Sequence, residues 1–395
     1  MSFICREINQ SSCNFFATSR FKSQLGVYFR IMGMKNRCGC ALLGLLCLLF
    51  VVHDSQAQTR KYSNNFLEIG VGARAFGMSG ANVASSMDVT AAYWNPAALT
   101  NINADLDLAA MHAEYFAGIA QYDYAGIAKR IDSTSVIAIS GMRFGIDNIP
   151  NTTQLFDSDG NFNYDRITAF SAVDYAFFVS YAKNLKVKGM SIGANAKVIH
   201  RSIGSFARAW GFGLDAAVLY KHKNWRFAAV GRDITSTYNT WAYSIDQETQ
   251  QVFELTGNEM PENGLEITLP RFVLAAAYQR DIGRFSLMGE INAVINTDGQ
   301  RNVLFVGDPM SLDPLMGIEV GYLNMVYLRA GVGNIQRVRT FRNTEEIIAQ
   351  PNVGVGLRLG RFHLDYALAN IGETSDGLYS NVFSLRLEIF KKQAE

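Results

Sequence analysis

The sequence predicts an all-β chain: a 14-stranded antiparallel transmembrane β-barrel with an N-terminal plug segment folded into it. Three observations carry this expectation. Segments of roughly ten residues alternate apolar and polar side chains through most of the chain, which is the period of a half-buried strand. Connections between those segments alternate short and long, as in bacterial outer-membrane barrels. Charged residues make up only 18% of a chain that is 49% hydrophobic, below the roughly 25% of a globular domain, so part of the surface faces something other than water.

Taken in order, residues 1–33 precede a complete signal start and read as an upstream extension, with Met34 as the initiator. Residues 34–57 have the features of a secretory signal peptide. Lys35 and Arg37 are followed by the apolar run 41–52 and by Ser55-Gln56-Ala57, with small residues where signal peptidase inspects. That run is too short for a spanning helix, which needs about 20 residues, so cleavage is expected before Gln58. All five cysteines (Cys5, Cys13, Cys38, Cys40 and Cys47) precede the cut. Disulfides, thiolate metal sites and a cysteine nucleophile are thereby excluded from the exported chain. Removing residues 1–57 takes six of 36 basic and two of 35 acidic residues, leaving 30 against 33. Such near-neutrality gives no electrostatic reason to expect nucleic acid as a partner.

Residues 58–103 form the periplasmic start and the plug. The stretch 65–100 lacks long alternation and is dense in Gly and Ala, which permit close backbone approach inside a lumen. A phosphate-binding loop is excluded because no Lys-Ser/Thr follows the glycines and no βαβ pattern surrounds them. The run Gly72-Ala73-Arg74-Ala75-Phe76-Gly77-Met78-Ser79-Gly80-Ala81, the acidic Asp88, and Ala92-Tyr93-Trp94-Asn95-Pro96-Ala97-Ala98-Leu99 resemble the N-terminal signature of the FadL-like fourteen-stranded barrels. The Tyr-Trp-Asn-Pro form is especially similar to the PorV/PorQ branch of the Bacteroidetes type IX secretion system. Ser79 stands where that signature usually has Gly, and Ser86-Met87-Asp88 where paired acids are common. The resemblance covers about 30 residues. It implies a hatch marked by Gly72, Arg74, Gly77, Gly80, Asp88, Trp94, Asn95 and Pro96, inside an integral β-barrel of the outer membrane. PorV-like members bind the C-terminal signal domains of secreted cargo and associate with other secretion-system outer-membrane proteins. FadL-like members import hydrophobic small molecules such as long-chain fatty acids. Neither branch implies an enzyme or a cofactor.

Residues 104–395 form the barrel. Alternation places strands at 104–115, 119–130, 135–146, 168–182, 189–200, 209–220, 225–234, 271–280, 285–295, 315–322, 326–334, 352–359, 362–370 and 381–390. In 285–295 the face of Phe285, Leu287, Ile291 and Ile295 is apolar, while Ser286, Glu290 and Asn292 mark the other. Short turns fall near 131–134, 185–188, 221–224, 281–284, 323–325 and 360–361, and nearly all long loops fall at the opposite end. A soluble sandwich has no reason for that asymmetry. The even strand number puts both termini in the periplasm. Trp210, Tyr220, Trp225, Tyr322 and Tyr327 fall near strand ends, as an interfacial belt requires. One strand is apolar on both sides: Val173, Tyr175, Phe177, Val179 and Tyr181 lie opposite Ala176 and Phe178, so either the lumen or a partner meets an apolar surface there.

Catalytic and metal chemistry find little support. His112, His200, His222 and His363 sit on separate elements without metal-ligand spacing. His363 near Asp365 with a serine across the barrel is one hydrolase-like combination that can be drawn, and residues 157–161 lack the later ligands of a calcium loop. The 235–270 loop is expected to be structureless and long, which usually signals function. Its Tyr238, Trp241, Tyr243 and Phe253 are candidates for a partner-binding extracellular surface together with loops 296–314 and 335–351.

Overall fold

The computed structural model describes residues 63–115, 118–153, 155, 162–257, 259–339, 344–369 and 379–391. The predicted extension, the signal peptide, all five cysteines, the 157–161 stretch and most of the 371–380 loop lie outside these residues. The first wall strands are β1 (Leu106–Tyr115), β2 (Ala120–Arg130), β3 (Ser135–Asn151), β4 (Thr168–Asn184), β5 (Met190–Ile203), β6 (Ala207–His222) and β7 (Trp225–Arg232). A hairpin of β8 (Thr237–Tyr243) and β9 (Gly264–Thr268) follows, and between its strands lies the α-helix Gln247–Thr256. The wall resumes with β10 (Arg271–Ile282), β11 (Phe285–Asn296), β12 (Ser311–Tyr322), β13 (Val326–Arg339), β14 (Glu345–Leu359), β15 (Phe362–Ala369) and β16 (Ser380–Ile389).

Antiparallel pairing runs unbroken around the ring. β7 pairs with β10, and β1 pairs with β16 from Leu106↔Ile389 to Glu114↔Asn381. The result is a closed barrel of 14 strands, with β8 and β9 as an appendage on β6. Each predicted strand coincides with a wall strand, because most strands set an apolar outer face against a more polar inner one. Phe285, Leu287 and Ile291 are exposed on the outside, whereas Met288 and Glu290 are buried within.

Trp210, Tyr220, Trp225 and Tyr322 project outward, as a belt requires. Tyr220 and Trp210 mark two levels on β6, about 33 Å apart along the strand and about 25 Å along the membrane normal at a tilt near 40°. Tyr327 departs from the expectation. It shares the inward parity of buried Arg329, whose guanidinium lies 5.4 Å from its ring centroid. The double-sided apolarity of β4 has a simple cause: Phe177, Val179 and Tyr181 face out, while Ala176 and Phe178 face in, where Phe178 packs edge-on against Tyr93 at 6.3 Å.

Loops were overestimated where strands run past the bilayer. β3 has 17 residues and β14 has 15, against the 9–11 or so that span a membrane. Most of 335–351 is likewise strand, and only Gly204 to Phe206 separate β5 from β6. The 235–270 loop is also structured. β7 pairs with β6 only from Gly231↔Ala216 downward, so the upper edge of β6 is free, and β8 takes it from Ala207↔Tyr243 to Phe212↔Tyr238. On the opposite rim the turns are tight. In one of them Asp132 accepts hydrogen bonds from Thr134 Oγ1 at 2.7 Å, Thr134 N at 2.6 Å and Ser135 N at 2.8 Å, which hold its carboxyl down at about 2.

The N-terminal segment fills the lumen. Its short helix Ala73–Gly77 packs against β13 to β16, and its 3-10 turn Pro96–Asn101 packs against β3 to β6 on the far side. Contact with opposite walls means that the segment crosses the interior. Wall glycines make the fit possible: a Cβ on Gly193 would lie 2.3 Å from Ala97 N and from Pro96 C, and one on Gly331 would lie 2.3 Å from Met78 C. Because those neighbours are backbone, Gly193→Val forces wall and plug apart, at a cost on the order of 3 kcal/mol. We expect this variant to lose the compact, heat-modifiable band on unboiled gels at a temperature well below that of the wild type.

Candidate functional site: the plugged lumen and the chamber above it

The plug is held by carboxylates that sequence pattern marks as inward but cannot pair. Glu290 on β11 accepts three successive backbone amides: Val83 N at 2.5 Å, Ala84 N at 2.8 Å and Ser85 N at 2.9 Å. One buried carboxylate thus replaces the partners that this turn would otherwise find in a helix or in water. Arg74 reaches the wall at Glu319, with Nε to Oε2 at 2.8 Å, and Glu319 also receives Arg329 Nε at 2.6 Å. Arg329 continues to Asp365 at 2.6 Å. A second chain runs through Asp107, which accepts Val89 N at 3.1 Å and pairs with Arg386 at 2.6 Å, while Arg386 donates to Met87 O at 3.1 Å.

The signature residues hold the plug's own shape. Trp94 Nε1 donates to Val71 O at 2.8 Å. Asn95 caps the following turn, its Oδ1 accepting Ala97 N at 3.0 Å, and its Nδ2 donates to Val83 O at 2.8 Å. Pro96 opens that turn, where its missing N–H costs nothing. Asp88 accepts Thr90 N at 2.8 Å. Gly72 and Gly80 have φ of 87° and 81°, and Gly77 abuts Gly354 of the wall. The structure therefore gathers the eight residues of the resemblance into one buried body.

Above the plug lies a cavity of about 930 Å³. Its floor is formed by Phe76, Ser79, Gly80, Val83 and Trp94, with apolar wall at Tyr115, Phe144, Val273, Val294 and Leu315. Charge lines the rest. Arg201 pairs with Asp174 at 2.9 Å, and Arg301 pairs with Glu68 at 2.8 Å and Asp298 at 2.7 Å. Arg232 differs, making no ion pair of 4.0 Å or less among the described residues. Its guanidinium lies over Tyr93 at 4.6 Å and Trp94 at 5.7 Å, and Nη1 meets the Tyr93 hydroxyl at 3.3 Å. Behind it, Lys197 is buried between Asp215 at 2.8 Å and Asp233 at 2.7 Å. Two smaller voids of about 20 Å³ lie at the plug's edges, each with room for about one water molecule.

The candidate loop residues lie above, and they divide. Tyr238 is exposed, but Trp241 is only 7% exposed, donates from Nε1 to Glu266 at 2.6 Å and lies under Arg201 at 5.0 Å. Tyr243 stacks on Trp241 at 6.1 Å, and Phe253 is on the helix Gln247–Thr256. Glu266 also accepts Ser63 Oγ at 2.6 Å, so the hairpin is tied to the start of the plug. Burial alternates along β8, with Thr237, Asn239 and Trp241 inward and Tyr238, Thr240 and Ala242 exposed, and the residue types alone do not show it. The histidines stay dispersed, and no cluster of three or more metal-ligating side chains occurs among the described residues.

This architecture defines a closed 14-stranded antiparallel β-barrel whose N-terminal segment packs inside the lumen. The chain is similar in fold to a monoaromatic hydrocarbon channel, CymD, with a TM-score of 0.53 and 11% identity over 82% of this chain and 99% of that one. It is also similar to the Pseudomonas putida toluene transporter TodX, at 0.50 and 11% over 82% and 99%, and to a Pseudomonas aeruginosa FadL homologue, at 0.46 and 12% over 80% and 97%. No family model and no curated protein sequence matches the chain.

If Glu290 latches the plug, Glu290→Ala leaves three buried amides without partners, a loss of about 3 kcal/mol or more. In planar bilayers the wild-type barrel should stay closed, and the variant should show ion-conducting openings while keeping its heat-modifiable band. A variant as closed as the wild type removes the latch.

Proposed function

We propose that this chain is an outer-membrane component of type IX protein secretion, PorV/PorQ-like. It would bind secreted cargo through C-terminal signal domains, the translocon and surface attachment machinery, or both, and would have no catalysis of its own. Export through a cleaved signal peptide belongs to the same reading. The observation that carries it is the plugged lumen. The signature Tyr93-Trp94-Asn95-Pro96 is built into a plug anchored to the wall by Glu290 and Glu319, beneath a chamber lined by Arg201, Arg232, Arg271 and Arg301 as well as by apolar side chains. A barrel so closed is suited to presenting a surface at its mouth. The hairpin β8–β9 and the helix Gln247–Thr256 supply that surface, with Trp241 as its inward anchor and Tyr238 as its exposed face.

A second reading, an importer of hydrophobic small molecules, is favoured by one feature of the wall. The β3–β4 register shifts between Ile146 and Ile149, a local kink of the type that side-opening channels need, and Phe144 lines the chamber nearby.

Purification of the tagged protein from its native outer membrane in mild detergent, with mass spectrometry of bound proteins and lipids, separates the two. A large barrel protein, or secreted proteins sharing a C-terminal domain, is expected. A stoichiometric hydrophobe and no protein would instead establish the importer. Removing residues 247–257 while keeping β8 and β9 should reduce protein association at least tenfold without unfolding the barrel, as read by the same quantitative mass spectrometry.

A further inference from the structure

The outward side chains of β1, β2 and β3 break a pattern that other parts of the wall keep. From the periplasmic rim upward, the outer face of β12 carries Tyr322, Val320, Ile318, Met316 and Leu312, and that of β11 carries Phe285, Leu287, Ile291 and Ile295. Both stay apolar across the whole band. β1 instead begins with Leu106, Leu108 and Ala110, then turns to His112 and Glu114. β2 rises through Ile127 and Ala125 to Asp123, and β3 through Ile137, Ile139 and Gly141 to Arg143.

These side chains form one row. His112 is opposite Asp123, and Asp123 is opposite Arg143. His112 Nδ1 lies 2.7 Å from Asp123 Oδ1, Arg143 Nη1 lies 3.8 Å from Asp123 Oδ2, and Arg143 Nη2 lies 3.2 Å from Asp147 Oδ2. Glu114 stands 3.9 Å from His112 and is 56% exposed. One tier below, Ala110, Ala125 and Gly141 pair across the same strands and leave the wall low. His112 is six residues above Leu106, about 20 Å along the strand and about 15 Å along the normal at a tilt near 40°, so the row lies inside a hydrocarbon band about 25 Å tall. Charged groups facing acyl chains there are costly.

We infer that this face is not a lipid contact but a docking surface for the wall of a second integral membrane protein that presents a basic side chain. Charge selects that occupant. Glu114, Asp123 and Asp147 face a single Arg143, three carboxylates against one guanidinium, so the row is acidic. Phosphate-bearing lipid headgroups are repelled by it. A second copy docked by two-fold symmetry would set this acidic row against itself. A cationic side chain from a foreign wall neutralises it, and the low tier of Ala110, Ala125 and Gly141 lets that wall approach. The inference rests on the barrel's place in the membrane and not on what its mouth handles.

The test places photoreactive benzoylphenylalanine at position 125 in cells of the native host, with position 318 on the opposite wall as control. Light should produce an adduct with an integral outer-membrane protein from 125 and none from 318. Glu114→Gln with Asp123→Asn should abolish that adduct while the barrel keeps its heat-modifiable band. Glu114→Gln alone, which removes only a contact of 3.9 Å, serves if the double variant fails to fold. Adducts with lipid alone, with a second copy or with a soluble protein, no adduct, or a protein adduct indifferent to charge removal would each overturn the assignment.

Discussion

Backbone hydrogen bonding in a medium without water is the constraint on which this structure depends. Hydrocarbon offers no partner to an N–H or C=O, so a sheet that crosses it must close on itself. The pairing of β1 with β16 does this, and it brings the two ends of the wall together on one rim. Closure with 14 strands leaves an interior too wide for wall side chains to fill. The same constraint then acts on the segment that fills it, because a plug of tight turns carries many amides that no ladder satisfies. Glu290, Asp107 and Asn195 answer this from the wall, Asn195 by donating to Ala92 O at 2.6 Å.

Buried charge follows from that solution. A carboxylate placed inward for backbone amides is expensive unless compensated, and the compensation recruits arginines: Arg74 and Arg329 around Glu319, and Arg386 beside Asp107. Such networks add little net stability compared with an apolar core, but breaking one partner strands the others. Their effect is to fix one register of plug against wall. Apolar contact alone would not, since the plug's Ala and Gly faces could slide along a smooth lumen.

The wall was legible in the sequence because alternation is imposed on each strand by the same two environments. The ends were less legible. Beyond the bilayer, strands such as β3, β13 and β14 continue through residues where alternation loses its contrast, and these were read as loop. β8 was invisible because its pairing depends on β7 stopping short at Arg232, a fact about three-dimensional edges. Trp241 was read as exposed for the same reason: its burial comes from Glu266 and Arg201, 25 residues after it and 40 before. Within the plug, Gly77, Trp94 and Asn95 were found by resemblance, whereas Glu290 and Glu319 looked like any other inward polar residue. Pairing partners more than 200 residues apart leave no local trace.

The plug's two ends and its middle are held differently, and this bears on any opening of the lumen. Helix Ala73–Gly77 is clamped through Arg74 to the wall at Glu319, and the turn Pro96–Asn101 is wedged against glycine-thinned backbone at Gly193. Between them, residues 80–85 supply Gly80 and Val83 to the chamber floor and are bound to the wall through Glu290, with Asn292 Nδ2 adding a bond of 3.2 Å to Gly80 O. Local opening proceeds where the fewest bonds must break. Here one carboxylate accounts for three of them at once, so releasing Glu290 removes the wall's hold on Val83, Ala84 and Ser85 while both ends stay seated. A cargo signal entering from the mouth and a hydrophobe entering from the wall would both meet that floor, and its yielding would not require the plug to leave the barrel.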